Sequence, residues 1–282
     1  MPSVLITGAS SGIGEATTKV LARRGWSVFA TMRTLDKQDA LERSLKEAGI
    51  RDHIEFERID VTDPASIRDA LAVILPRAGN ALDAVVHNAG VAAGGAFEDL
   101  PAEEVRRVME TNFFGVLELT RQLLPTFRAQ RRGRIVIVSS EAAFAGQPAN
   151  SMYCASKWAL EGWAESLAYE LDPFGLYVIL IEPGVYRTQI WESSPRLIPP
   201  TSAYQSWSQH VSDAYDALVA KTARDPQEVG DVIAAALEAR VPRFRYAVGP
   251  IAQLSHFLHG KLSTRLRHRG MAWYLGLSRF HP

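Results

Sequence analysis

The feature that most constrains this chain is a set of short apolar runs that do not alternate with polar residues. Ile135-Val136-Ile137-Val138 is one, and Val4-Leu5-Ile6 is another. A strand with one wet face alternates, because successive side chains point to opposite sides of the sheet. A strand that is apolar throughout is covered on both faces, as in a parallel sheet flanked by helices. The pattern predicts strands at Val4–Thr7, Val28–Met32, Ile54–Arg58, Ala84–His87, Ile135–Ser139, Tyr177–Ile181 and Phe244–Val248. Helical patterns lie between them at Gly12–Arg24, Asp36–Ala48, Pro64–Arg77, Pro101–Gln130, Ser151–Leu171 and Pro226–Arg240. Pro64, Pro101 and Pro226 each stand where a first helical turn accepts proline, and Asp63 and Asp225 suit N-caps. Strand–helix–strand crossovers are right-handed, so the expected fold is α/β, a doubly wound parallel sheet of about seven strands with helices on both faces. No repeat or linker interrupts the pattern. The reading is one catalytic domain over residues 1–282, with a substrate lid at about 186–223 and a C-terminal extension at about 250–282.

Composition excludes several function classes. The 282 residues are 47% hydrophobic and 22% charged, the balance of an ordinary globular protein. The single cysteine, Cys154, can form neither an intrachain disulfide nor a thiolate metal site. A reducing, cytoplasmic setting and no metal are therefore expected. No signal peptide or membrane-spanning stretch is read in the sequence. Formal net charge is zero but unevenly placed. Eight of the 31 basic residues and none of the 31 acidic ones follow Glu238, so that tail carries +8 and residues 1–238 carry −8. No zinc spacing or nucleic-acid motif accompanies the basic residues, so nucleic acid is not an expected partner.

The first strand runs into Thr7-Gly8-Ala9-Ser10-Ser11-Gly12-Ile13-Gly14, and a helix follows. Glycines permit a tight turn and close approach of a pyrophosphate, and the helix N-terminus points unpaired N–H groups at it. Three residues separate Gly8 from Gly12, so this is not the common G-x-G-x-x-G spacing. The second strand ends in Thr31-Met32-Arg33, with no carboxylate for a ribose 2′-hydroxyl. Arg33 suits a 2′-phosphate, and NADP(H) is favoured over NAD(H). Asp60-Val61, after the third strand, is either an adenine edge or a simple turn cap. Asn88-Ala89-Gly90 closes the fourth strand with small residues that let a cofactor approach, while His87 reads as a core or cap histidine.

Tyr153 and Lys157 stand four apart, on one helix face. A free phenol has a pKa of about 10, so chemistry near neutrality needs a large downward shift. One cation about 5 Å away, at an effective dielectric of about 20, supplies roughly 3 kcal/mol of it. Ser140 ends the fifth strand, at the edge where ligands of such sheets sit, and its hydroxyl suits a substrate oxygen. Alone, the Tyr-x-x-x-Lys pair is an ordinary helix face. It gains weight because the glycine turn, Ser140 and the pair occur in the order a single site needs.

These residues together resemble the short-chain dehydrogenase/reductase family. The resemblance runs from about Val4 to Val248 through the Thr7–Gly14 turn, Asp60, Asn88-Ala89-Gly90, Asn112, Ser140, Tyr153, Lys157, Pro183-Gly184 and Thr188. It implies Tyr153 as general acid and base, with Lys157 lowering its pKa and binding the nicotinamide ribose. It implies Ser140 as the group that polarises the substrate, and Asn112 as the holder of a water linking Lys157 to solvent. The cofactor would meet Gly8, Ser10, Ser11, Gly12, Ile13, Gly14, Arg33, Asp60, Val61, Asn88, Ala89 and Gly90. Thr188 and the turn Pro183-Gly184-Val185 would contact its carboxamide, and Asn88 would stabilise the central sheet. Two departures stand out: His87 replaces an asparagine of the family pattern, and Ser11 stands where many NADP-dependent members carry a basic residue.

The stretch around Ala159-Leu160-Glu161-Gly162 looks most like the hydroxysteroid and retinol dehydrogenase branch. The implied activity is interconversion of a carbonyl and an alcohol on a bulky apolar substrate. A 3-oxoacyl thioester reductase and a cofactor-binding sensor or scaffold are the alternatives. Family habit suggests a homodimer or homotetramer through the Pro101–Gln130 and Ser151–Leu171 helices. The lid segment carries Ile190, Trp191, Leu197, Ile198, Tyr204, Trp207 and Tyr215, either as a substrate wall or as packing of a variable helix pair. The tail interleaves Phe257, Leu258, Leu262, Leu266, Met271 and Trp273 with basic residues. Such a segment either makes peripheral membrane contact or packs on the protein's own lid or a partner subunit, and the packing reading is preferred.

Overall fold

The apolar runs become seven parallel strands: β1 (Ser3–Thr7), β2 (Ser27–Met32), β3 (Ile54–Arg58), β4 (Ala84–His87), β5 (Gly133–Val138), β6 (Leu176–Pro183) and β7 (Arg245–Val248). The structure, a computed structural model, describes residues 1–50 and 53–280, with the backbone alone at residues 191 and 192. The strand order is β3-β2-β1-β4-β5-β6-β7. Every pairing is parallel, with Val4 opposite Val28 on one side of β1 and Val4 opposite Ala84 on the other. The order reverses between β1 and β4, which opens a crevice beyond their carboxyl ends.

Both faces of the sheet are covered, which is why the strands do not alternate. Val4, Ile6, Val28, Val136 and Ile179 face one way. They pack on α1 (Gly12–Arg23), α2 (Gln38–Glu47) and α9 (Gln227–Glu238) through Leu21, Leu45, Ile233 and Leu237. The intervening residues Leu5, Val85, Ile135, Ile137 and Leu180 face the other way. They meet Ile67, Leu119, Phe127 and Leu160 of α3 (Pro64–Arg77), α5 (Gly115–Gln130) and α6 (Ser151–Leu171). Each fully buried side chain of this size contributes about 1.5–3 kcal/mol, so neither face is dispensable. Asp63 caps α3 by accepting from the Ala65 amide at 2.9 Å.

The helix expected over Pro101–Gln130 is divided. Between α4 (Ala102–Met109) and α5 lies a π-turn at Glu110–Phe114, which contains Asn112. After β6 come α7 (Ile190–Ser193) and α8 (Gln205–Thr222), within the segment expected to form a lid. The C-terminal segment forms α10 (Pro250–Leu258), α11 (Thr264–Tyr274) and a 3-10 turn at Leu277–Phe280. It packs on its own chain. Leu275 and Leu277 form a small core with Val211 of α8, and His210 bonds the Leu275 carbonyl at 2.8 Å. At its other end His259 and Arg267 bond the Phe144 carbonyl at 3.0 and 2.8 Å. Among the described residues no helix is long and apolar enough to cross a membrane.

Candidate active site

The glycine turn folds back on itself at the head of α1. Gly12 has φ +56°, a left-handed conformation that favours glycine. A Cβ on Gly14 would lie 2.2 Å from the Gly8 carbonyl oxygen, so only glycine lets the helix start this close to the turn. Asn88 seals the join by donating its side-chain amide to the carbonyls of Thr7 and Gly8, each at 3.0 Å. The Thr7 hydroxyl accepts from the amides of Asn88 and Ala89 at 3.0 and 3.1 Å. Ser11 precedes α1 and makes no side-chain cap, which leaves first-turn N–H groups facing outward at the positive end of the helix.

These groups open onto a cleft of about 420 Å3. Gly8, Ser10, Ser11, Gly12 and Ile13 form its floor. Arg33, Thr34, Lys37, Pro183, Gly184 and Thr188 also line it; Thr188 lies over Gly12, and Lys37 donates to the neighbouring Gln189 side chain at 3.5 Å. Asp60 and Val61 form part of one wall, with Asn88, Ala89 and Gly90 beside them. Asp60 also closes its own turn, accepting from the Thr62 amide at 3.0 Å and hydroxyl at 2.7 Å. The cleft thus offers helix-end N–H groups and cations where a dinucleotide phosphate needs them, and glycine where its backbone approach would otherwise be blocked.

Ser140, Tyr153 and Lys157 line the same cleft. Tyr153 and Lys157 project from one face of the first two turns of α6. The Lys157 ammonium donates to the Val138 carbonyl at 2.9 Å and lies 5.6 Å from the centre of the Tyr153 ring. The Ser140 hydroxyl accepts from the Ala142 amide at 3.1 Å and hydrogen-bonds the Tyr153 phenol.

Lys157 is expected to supply most of the phenol's downward shift and an oxidised nicotinamide the rest; in the chain by itself, burial runs against it. Burial pushes Tyr153 up to about 12, with the Ser140 hydrogen bond opposing it. Burial likewise pushes Lys157 down to about 8. Desolvation disfavours both charged forms, and at this depth it outweighs their mutual attraction. The chain by itself therefore holds Tyr153 as a protonated donor.

The first 196 residues carry the decisive likeness: residues 2–196 match the family model described as short chain dehydrogenase. The chain belongs to the short-chain dehydrogenase family. It is 38% identical over 253 residues to an uncharacterized oxidoreductase, YusZ, of Bacillus subtilis, covering 87% of this chain and 88% of that one. It is 33% identical to human 17-beta-hydroxysteroid dehydrogenase type 1, covering 86% of this chain and 76% of that one. This places it near the hydroxysteroid and retinol branch. The crystal structure of a short-chain dehydrogenase from Streptomyces avermitilis superposes with a TM-score of 0.80 at 32% identity, over 99% of this chain and 98% of that one. Actinorhodin polyketide ketoreductase, solved with NADPH, superposes with a TM-score of 0.72 at 28% identity, over 84% and 90% of the two chains.

As a short-chain dehydrogenase the chain places most of the expected residues on the cleft, and Asn112, Val185 and Gly14 off its surface. Asn112 does not line it. Its side chain is engaged by the protein, donating to the Val91 carbonyl at 2.8 Å and the Ser156 hydroxyl at 3.0 Å and accepting from the Val91 amide at 2.8 Å. It fixes the loop after β4 to α6 and so positions Lys157 indirectly. Val185 is buried, and its carbonyl accepts from the Arg224 amide at 3.1 Å, so Tyr186 faces the cleft in its place. Gly14 lies beneath the turn instead of on its surface. Of the aromatics in the segment expected to form a lid, Tyr215 lines an adjoining apolar cleft with Ile198, Val211 and Val219. Tyr204 and Trp207 instead form an outer depression with Phe97 and Phe280. The Trp191 side chain lies outside the described residues. His87 is a core histidine, bonded to the Thr120 hydroxyl at 2.9 Å and held down to about 3 by burial.

Several cleft residues escaped the sequence reading, Lys37 and Glu141 among them. Lys37, in the turn after β2, adds a second cation beside Arg33, a signal visible in hindsight as a base four residues further on. Glu141 follows Ser140 directly, and burial pushes its carboxyl up to about 7. Nothing in the local pattern distinguishes it from a surface glutamate. Among the described residues no group of three or more His, Cys, Asp or Glu side chains could hold a metal ion.

Proposed function

We propose that this short-chain dehydrogenase is an NADP(H)-dependent oxidoreductase that interconverts a carbonyl and an alcohol on a bulky, apolar, steroid-, retinoid- or ketone-like substrate. The observation that carries the reading is the meeting of Ser140, Tyr153 and Lys157 on the cleft whose floor is the glycine turn. The nicotinamide cofactor, when bound, supplies or accepts the hydride and in its oxidised form brings a positive charge that favours the phenolate. Every other task falls to the chain. The Ser140 hydroxyl holds the substrate oxygen, and Tyr153, protonated by default, delivers the proton to it in reduction and takes it back in oxidation. Lys157 steadies the phenolate left behind, its ammonium aimed by the Val138 carbonyl. Arg33 and Lys37 support NADP(H), since both are cations that line the cleft just after β2. The likeness to human 17-beta-hydroxysteroid dehydrogenase type 1 supports the substrate class.

The test is Tyr153→Phe, with turnover followed on a panel of steroids, retinoids, aliphatic ketones and acyl thioesters. The variant is expected to bind NADPH as the wild type does and to lose turnover by several hundred-fold or more, the range of a missing general acid (about 10²–10⁴). Turnover that survives the substitution would refute the reading.

A further inference from the structure

We propose that the Glu141 carboxyl selects ketones that carry a hydrogen-bond donor, an amino or a hydroxyl group, beside the reacting carbonyl. This rests on the carbonyl–alcohol reading above and narrows its substrate class. Glu141 is the residue after Ser140, so their Cα atoms stand about 3.8 Å apart, and both line the cleft with Tyr153. Its Oε2 is buried with no hydrogen-bond partner. The Lys157 ammonium is engaged by the Val138 carbonyl. Buried polar atoms are normally satisfied, so an unpaired carboxylate oxygen on a residue that lines the cleft marks a place for a ligand atom.

A second observation points the same way. The Glu141 Oε2 lies 3.7 Å from where a Cβ on Gly184 would sit, and Gly184 lines the same cleft. The Tyr215 hydroxyl is also buried without a hydrogen-bond partner. Around it the adjoining cleft is walled by Ala92, Ile198, Val211 and Val219. The unpaired carboxyl thus sits beside Ser140, and the small neighbouring cleft is mostly apolar. Such a substrate would satisfy the acceptor at Glu141 and leave the apolar cleft to its hydrocarbon.

The experiment compares kcat/KM for a long-chain ketone with that for its α-hydroxy and α-amino derivatives, in the wild type, Glu141→Gln and Glu141→Val. The wild type is expected to prefer a donor-bearing ketone, and Glu141→Val to reduce that preference by roughly tenfold to 150-fold, the worth of one hydrogen bond to a charged group. Glu141→Gln separates the two donors, because an amide oxygen still accepts from a hydroxyl but offers no charge to an ammonium. It also covers the case in which the valine variant fails to fold. Three outcomes overturn the inference: a wild type indifferent to the donor, a preference that survives both substitutions, and an effect confined to the affinity for NADPH or NADH. A wild type that reduces no ketone at all would instead sink the carbonyl reading, and this inference with it.

Discussion

The Lys157 ammonium hangs from the Val138 carbonyl at 2.9 Å, and the centre of the Tyr153 ring lies 5.6 Å from it. Strand β5 thereby aims the charge that α6 carries toward the phenol one turn earlier. Because burial holds Lys157 down to about 8, the ammonium is lost as pH rises through that value. Its support for the phenolate goes with it. kcat/KM for carbonyl reduction should therefore fall as pH rises through about 8 in the wild type. In Lys157→Arg, whose guanidinium stays charged, that limb should be absent even if the absolute rate is lower. A pH–rate profile of both proteins checks this, and a wild-type profile with no such limb contradicts it.

Arg33 is exposed and lines the cleft, as does Lys37. Loss of one charge-assisted hydrogen bond to a 2′-phosphate is worth about 1.5–3 kcal/mol. Arg33→Ala should weaken NADPH binding by roughly tenfold to 150-fold and leave NADH binding almost unchanged. Fluorescence titration of the two cofactors gives both constants, and equal losses for the two would argue against a 2′-phosphate contact.

The Gly14 position has no room for a methyl group, with the Gly8 oxygen 2.2 Å from where a Cβ would sit. Gly14→Ala should force the turn off α1, costing about 1–3 kcal/mol in stability and at least an order of magnitude in cofactor affinity. Denaturant unfolding and cofactor titration measure the two losses separately.

Arg245 of β7 joins buried carboxylates, pairing with Glu161 and, at 3.1 Å, with Glu182, whose side chain is 0% exposed. Removing the cation leaves both acids without compensation, a loss of about 3–5 kcal/mol. Arg245→Met should show that deficit most fully above about pH 8, where Glu182 is ionised. Burial already pushes Glu182 up to about 8, so below that value its carboxyl is largely protonated and needs the cation less. The deficit should accordingly shrink as pH falls and grow as it rises through about 8. Urea unfolding at several pH values checks both its size and its slope.

The sequence alone determined the sheet and most of the site. Helices α3 and α6 run over the residues expected, because a proline with an aspartate before it fixes the start of one and a long apolar face fixes the other. The glycine turn, Ser140, Tyr153 and Lys157 were legible because their chemistry depends on identity and order along two strand–turn–helix paths, β1 to α1 and β5 to α6. Tertiary structure decided the rest. The π-turn in the Pro101–Gln130 segment coincides with side-chain bonds from Asn112 to Val91 and Ser156, groups that are remote in sequence. The directions in which Tyr153 and Lys157 shift follow from burial, which no local pattern states. Glu141 and Lys37 became site residues only when separate strands ended on one edge of the sheet. Periodicity reports which face of an element is apolar, but solvent exclusion at a point is set by everything packed around it.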